Sequence, residues 1–187
     1  MKFLYLPTLV GTFAFAIIYR YLFTYDGIIN SMLFSLLKIK INWLDNGFNA
    51  KNVFVIAMIW SSLGINTLLI VNALNNIPKD VLESAEVDGS NNFQSLIYIM
   101  IPYIKKLILF VVLTTFVATV NLLDLPYNLT QGAPNFETMT LGFYIYKVAF
   151  GYRDFSYAAT IGITIFVLFI FIYISFKKVV SVYEKNI

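Results

Sequence analysis

The chain has no cysteine and no histidine among its 187 residues. Without thiolate or imidazole it cannot form a disulfide, a Cys or His metal site, a Ser/His catalytic pair or a histidine proton relay. Most enzyme classes are thereby excluded. Charge is scarce too: Asp, Glu, Lys and Arg make up 12% of the chain, where about 25% is usual in soluble domains. The phosphate-cradling pattern G-x-x-x-x-G-K-[ST] is absent, so any ATP hydrolysis takes place on another polypeptide. What is present is apolar: 59% of residues belong to the set AVILMFWYC, and the mean hydropathy is +0.78. So few polar residues cannot coat a water-soluble core of this size, and the solvent must be largely lipid. The 13 basic residues and net charge of +3 form no block. Basic loops flanking membrane spans explain that balance, and no nucleic-acid partner is implied.

Four segments free of Asp, Glu, Lys and Arg, Phe3 to Tyr19, Val53 to Leu74, Leu107 to Leu123 and Phe155 to Phe176, each have about the 17 to 25 residues needed to cross a bilayer. The expectation is an all-α membrane protein, a single membrane domain over 1–187 with spans at about 3–24, 53–74, 107–123 and 155–176. A β-barrel would need alternating polar and apolar residues, whereas Phe166 to Ile172 is apolar on every face. The first span does not read as a cleaved signal, because only Lys2 precedes it and Arg20 with Tyr21 marks an interface. Two shorter stretches, Ile28 to Leu37 and Met139 to Phe150, read as interfacial helices, the second opened by turn chemistry at Gly132 and Pro134.

Four spans place both termini on the same side as the polar loop 75–106. Seven Lys and Arg residues fall on that side and six on the other. The excess is small, but the pairs Lys105/Lys106 and Lys177/Lys178 abut span ends on the loop's side, which the positive-inside bias makes cytoplasmic.

Within that loop, Pro78 suits a first helical turn, Asp80 and Glu83 favour its positive end, and Gly89 can supply a left-handed stop. Ser90 can cap a second helix from Asn91 to about Ile101, with Phe93, Leu96, Ile97 and Met100 on one face before Pro102. The result is a helix-turn-helix between two spans. It reads either as a solvated connector or, because of that apolar face, as a docking surface.

Here the chain resembles a known family. Glu83, Ser84, Ala85, Asp88, Gly89, Ser90 and then Ile99 to Pro102 are similar to the E-A-A, two residues, D-G-A, eight residues, I-x-L-P signature of permease subunits in binding-protein-dependent ABC importers. Ser84 and Ser90 replace alanine and Ile101 replaces leucine, while the Gly89 to Pro102 spacing matches without a gap. The resemblance narrows to the maltose and glycerol-3-phosphate type of carbohydrate permease through Leu6, Pro7, Trp60, Gly64, Asn66, Ile77, Gly132, Pro134, Thr138 and Tyr144. It implies that Glu83, Ser84, Ala85, Asp88, Gly89, Phe93 and Pro102 couple the chain to a separate ABC ATPase subunit. It also implies a second permease subunit, an extracytoplasmic sugar-binding protein, a bacterial or archaeal cell membrane, and no cofactor. Family members usually have about six spans, so the chain looks like the C-terminal part of such a permease. The alternative is a truncated or remnant fragment that inserts without transporting alone.

Polar groups at bilayer depth mark the candidate substrate path. Thr8 and Thr12, Ser62 and Asn66, and Thr115 and Thr119 are each four residues apart, so each pair shares a helix face. Hydrogen bonding to the helix backbone or close helix packing would account for them equally. The resemblance adds Ser61 and places Thr8, Thr12, Ser61, Ser62, Thr115 and Thr119 at or near the path of maltose-type permeases. Uncharged hydroxyl and amide groups would suit a neutral sugar or polyol, and Trp60 and Tyr19 could stack on its ring. Asp26 and Asp124 stand singly at span ends and read as solvated; no intramembrane carboxylate pair supports ion coupling or an aspartyl protease.

Overall fold

The computed structural model describes the backbone of residues 10–185 and the side chains of residues 10–177. The described residues are helical with no strand. They comprise α1 (Thr12–Phe23), α2 (Ile28–Leu37), α3 (Gly47–Asn75), α4 (Lys79–Val87), α5 (Asn92–Val120, continuous through a π-helical segment Leu96–Met100), α6 (Asp124–Leu129), α7 (Leu141–Tyr146, followed by π segment Lys147–Gly151) and α8 (Phe155–Lys185). Among the described residues, three helices are long and apolar enough to cross a membrane: Gly47–Asn75, Asn92–Val120 and Phe155–Lys177. The start of the expected first span, with Thr8, lies outside the described residues, and the rest of it contains α1. The exposed apolar surface of α8, including Ile163, Phe166 and Phe171, is what a helix needs against lipid rather than water.

Two boundaries differ from the sequence reading. The second span begins at Gly47 instead of Val53, because Asn46 caps the extra polar turn: its Oδ1 accepts the Asn49 N–H at 3.2 Å. The helix after Gly89 does not stop before Pro102 but runs on to Val120. Proline lacks an N–H and crowds the carbonyl four residues back, which would normally break a helix. The π segment Leu96–Met100 directly precedes it and loosens that turn, so the chain passes Pro102 unbroken.

The chain divides into two compact units, residues 1–11 with 56–116 and residues 12–55 with 117–187. The first contains α4 and the segments leading to and from it. In the second, α1 packs against α6, whose Leu125, Pro126 and Leu129 are buried. Phe15 and Tyr19 of α1 are also buried and in ring contact, with centroids 4.6 Å apart. Both rings therefore pack within this unit.

The short helix α2 is held by a buried amide. Asn30 is fully buried, and its Nδ2 donates to the Tyr25 and Ile41 carbonyls at 2.9 and 2.8 Å. Across the clamped loop, Lys40 Nζ bonds Asp26 at 2.7 Å, so Asp26 is paired rather than free; that hydrogen bond raises the Lys40 pKa above its ordinary value. Around residues 130–140, Gly132 has φ +81°, and the Thr130 and Thr138 hydroxyls meet at 2.6 Å. The helix that follows, α7, closes against the end of α5, where any Cβ on Gly142 would strike the Asn121 backbone.

Candidate functional site

The motif residues lie in one unit, on α4 and the start of α5. Pro78 occupies the N-cap of α4 with φ −57° rather than its first turn, and Asp80 sits in that turn. The end of α4 is a Schellman turn. Ser90 N–H donates to the Ala85 carbonyl and Gly89 N–H to the Glu86 carbonyl, both at 3.0 Å, with Gly89 at φ +82°. The expected left-handed glycine is therefore in place.

The expected cap at Ser90 is not. Asn91 caps α5 instead, in a reciprocal box: its Oδ1 accepts the Gln94 N–H and Gln94 Oε1 accepts the Asn91 N–H, each at 2.9 Å. Ser90 is otherwise engaged, because its Oγ donates to the Ala85 carbonyl at 2.7 Å and pairs with Ser95 Oγ at 2.9 Å. Ser84 likewise bonds its own helix, donating to the Asp80 carbonyl at 2.6 Å. Both serines that replace alanine in the signature thus satisfy their hydroxyls locally.

The outer surface of this helix pair combines acid and apolar groups. Glu83, Glu86 and Asp88 are exposed, Ala85 is buried, and Phe93 is 70% exposed. Two members of this surface escape sequence reading: Val87, 87% exposed, and Tyr98, 76% exposed. An α-helical period puts Tyr98 off the Phe93 face, whereas the i→i+5 pattern of the π segment changes that register. Gly89, Ser90, Gln94 and Tyr98 line an open recess beside Asp88. Large apolar side chains are thus held at the surface and rimmed by carboxylates.

The polar residues of the spans separate into two groups. Asn66 Nδ2 donates to Thr115 Oγ1 at 3.2 Å, joining α3 to α5 within the same unit. Ser61 and Ser62 donate to the Met58 and Ile59 carbonyls of their own helix, both at 2.9 Å. Thr12 and Thr119 are half-buried in the other unit. The sequence spacing of Ser62 and Asn66 therefore does not make them equivalent: Asn66 bonds across helices while Ser62 bonds backward.

A helical membrane protein with an exposed helix pair set between two long apolar helices is the class these features define. The chain belongs to the family of binding-protein-dependent transport system inner membrane components, whose profile matches residues 1–181. It is 35% identical over 167 residues to the lactose transport system permease protein LacF of Rhizobium radiobacter, covering 87% of this chain and 56% of that protein. It is 29% identical to the arabinooligosaccharides permease AraP of Bacillus subtilis, covering 88% and 54%. To the trehalose/maltose permease MalF of Thermococcus litoralis it is 28% identical, covering 92% and 57%. The chain spans a little over half the length of these relatives. Its fold matches a bacterial ABC transporter involved in import of the acidic polysaccharide alginate, with TM-score 0.81, 19% identity and coverage of 95% of this chain and 63% of that one.

Proposed function

We propose that the chain is the transmembrane permease part of an ABC importer, moving a carbohydrate into a bacterial or archaeal cell with ATP hydrolysed on a separate subunit. The observation that carries this reading is the exposed helix pair Lys79–Val87 and Asn92 onward, joined at Gly89 in the left-handed conformation. It is closed by the Schellman turn at Gly89 and the Asn91–Gln94 capping box, α5 runs on from it into a long apolar helix, and a short turn joins it to α3, as suits a mechanical coupling segment. On this reading Glu83, Ser84, Ala85, Asp88, Gly89, Phe93 and Pro102 form the ATPase-coupling segment. Closure of the ATPase pair would displace it, and α3 and α5 would carry the displacement through the bilayer.

The carbohydrate assignment draws support from relatives named for lactose, arabinooligosaccharide and trehalose/maltose transport. Asn66 and Thr115, together with Thr8, Thr12 and Thr119, offer uncharged hydrogen-bonding groups suited to sugar hydroxyls; Ser61 and Ser62 contribute less, their hydroxyls being bound to backbone. The partners are the ATPase, a second permease subunit and an extracytoplasmic sugar-binding protein, with the chain acting as carrier and not as enzyme.

The test is co-expression with an ABC ATPase and a sugar-binding protein from the same organism, followed by pull-down of the ATPase and uptake of labelled saccharides. Association that requires the 79–102 segment, with uptake, is the expected result. Membrane insertion with neither association nor uptake would refute the permease reading in favour of a remnant that inserts and transports nothing.

A further inference from the structure

The segment between residues 130 and 140 holds two long helices at the ends remote from α4. Lys51 Nζ in the first turns of α3 lies 2.7 Å from Glu137 Oε2. The same carboxylate stands against Gly47, where any added Cβ would come within 2.5 to 2.7 Å of its atoms. One carboxylate thus faces both a lysine and the positive end of a 29-residue helix, and both interactions have the favourable sign. The segment itself is internally fastened, since Thr138 is buried, donates to the Ala133 carbonyl at 3.0 Å and pairs with Thr130. Three residues past Glu137, the Thr140 hydroxyl donates to the Leu122 carbonyl just beyond the end of α5. All of these residues belong to one unit.

The chain path gives this arrangement its meaning. Helices α3 and α5 are the two that run to and from the Glu83 segment. The remote end of α3 at Gly47 and the turn at Leu122 just past α5 are fastened to one short strap by Glu137 and Thr140.

We propose that Glu137 is a positioning residue for transport, fastening the start of α3 to the strap that holds the end of α5, so that a displacement of the Glu83 segment is transmitted along both helices instead of being lost by fraying at Gly47. The transmission half of this inference rests on the permease reading, whereas the fastening half does not.

Two measurements separate them. Amide hydrogen exchange on the purified full chain reads the fastening alone: Glu137→Gln should raise exchange at Asn49, Ala50 and Lys51 by about 1.5- to 5-fold, as for a partly exposed pair. Lys51→Gln, which leaves the carboxylate beside the helix start, should raise it less, and Gln94 in the capping box of the other unit should not change. Unchanged exchange at Asn49 to Lys51 in Glu137→Gln would overturn the fastening. The second measurement is saccharide uptake per ATP hydrolysed in the assembled transporter. In Glu137→Gln this ratio should fall severalfold while membrane abundance and ATPase association hold. A constant ratio, with uptake falling only in step with abundance, would make Glu137 merely structural and overturn the positioning role. If the unsubstituted chain binds no ATPase, the permease reading and the transmission half fall together, and the exchange result alone decides the fastening.

Discussion

Trp43 donates its indole N–H to Asn30 Oδ1 at 3.0 Å, and the same oxygen accepts the Ile41 N–H at 3.1 Å. With the two bonds from Nδ2 the buried amide uses all its hydrogen-bonding capacity, three bonds clamping the 38–43 loop onto α2 and the fourth holding the Tyr25 carbonyl. Leucine at position 30 has similar volume and strands two backbone carbonyls, an amide and an indole. Each buried polar group left unpaired costs about 1 to 3 kcal/mol, less where water enters. In a Trp60→Phe background, Asn30→Leu should shift Trp43 fluorescence emission to longer wavelength and speed proteolysis between Lys38 and Asp45. Unaltered emission and proteolysis would show that the loop is held by other contacts.

At Gly89 the prediction separates backbone strain from crowding. No atom lies within 4 Å of where a Cβ would project, yet φ is +82°. Gly89→Val should therefore cost on the order of 1 to 2 kcal/mol through conformation alone, and Gly89→Asn distinctly less, since asparagine tolerates this region. Pull-down of the ATPase should rank Gly89 above Asn and Asn above Val, with equal membrane abundance. Full retention and normal uptake with valine would leave the segment as a connector.

The Asn66 to Thr115 bond can be weighed by a double-mutant cycle. Thr115→Val and Asn66→Leu remove its two partners, and the coupling energy should be about 0.5 to 1.5 kcal/mol in thermal unfolding of the detergent-solubilised chain. Ser61→Ala and Ser62→Ala should stay within about 0.5 kcal/mol, because their hydroxyls only bond backbone. If the pair also contacts substrate, Thr115→Val should weaken saccharide affinity by roughly two- to tenfold. Unchanged uptake would assign it to helix packing.

Topology is open to thiol labelling because the chain has no cysteine of its own. Thr138 is 4% exposed and unsuitable as a reporter, so the loop residue Asn135, which is exposed, takes its place against Val87 in the motif segment. An impermeant maleimide added to intact cells should modify a cysteine at 135 and spare one at 87. The opposite pattern would invert the orientation and end the coupling assignment.

The amino-acid sequence by itself determined the membrane class, the long helices as apolar runs, the signature from Glu83 to Pro102 and the left-handed turn at Gly89. Each depends on composition or on residues within one or two helical turns, which local physics decides. Tertiary structure decided what composition leaves degenerate. Ser90 and Asn91 are both good caps in sequence, and the choice fell to Asn91 because Ser90 is taken by the Ala85 carbonyl and Ser95. Pro102 reads as a helix stop, but the π segment before it lets α5 continue. Asn30 falls between the apolar positions of α2 with nothing to mark it, yet its amide finds four partners, three of them supplied by Ile41 and Trp43 more than ten residues away. Asn66 with Thr115 and Lys51 with Glu137 join residues far apart in the chain. A hydrogen bond or ion pair leaves no periodicity in sequence; it exists only once packing has placed its donor within about 3 Å of its acceptor.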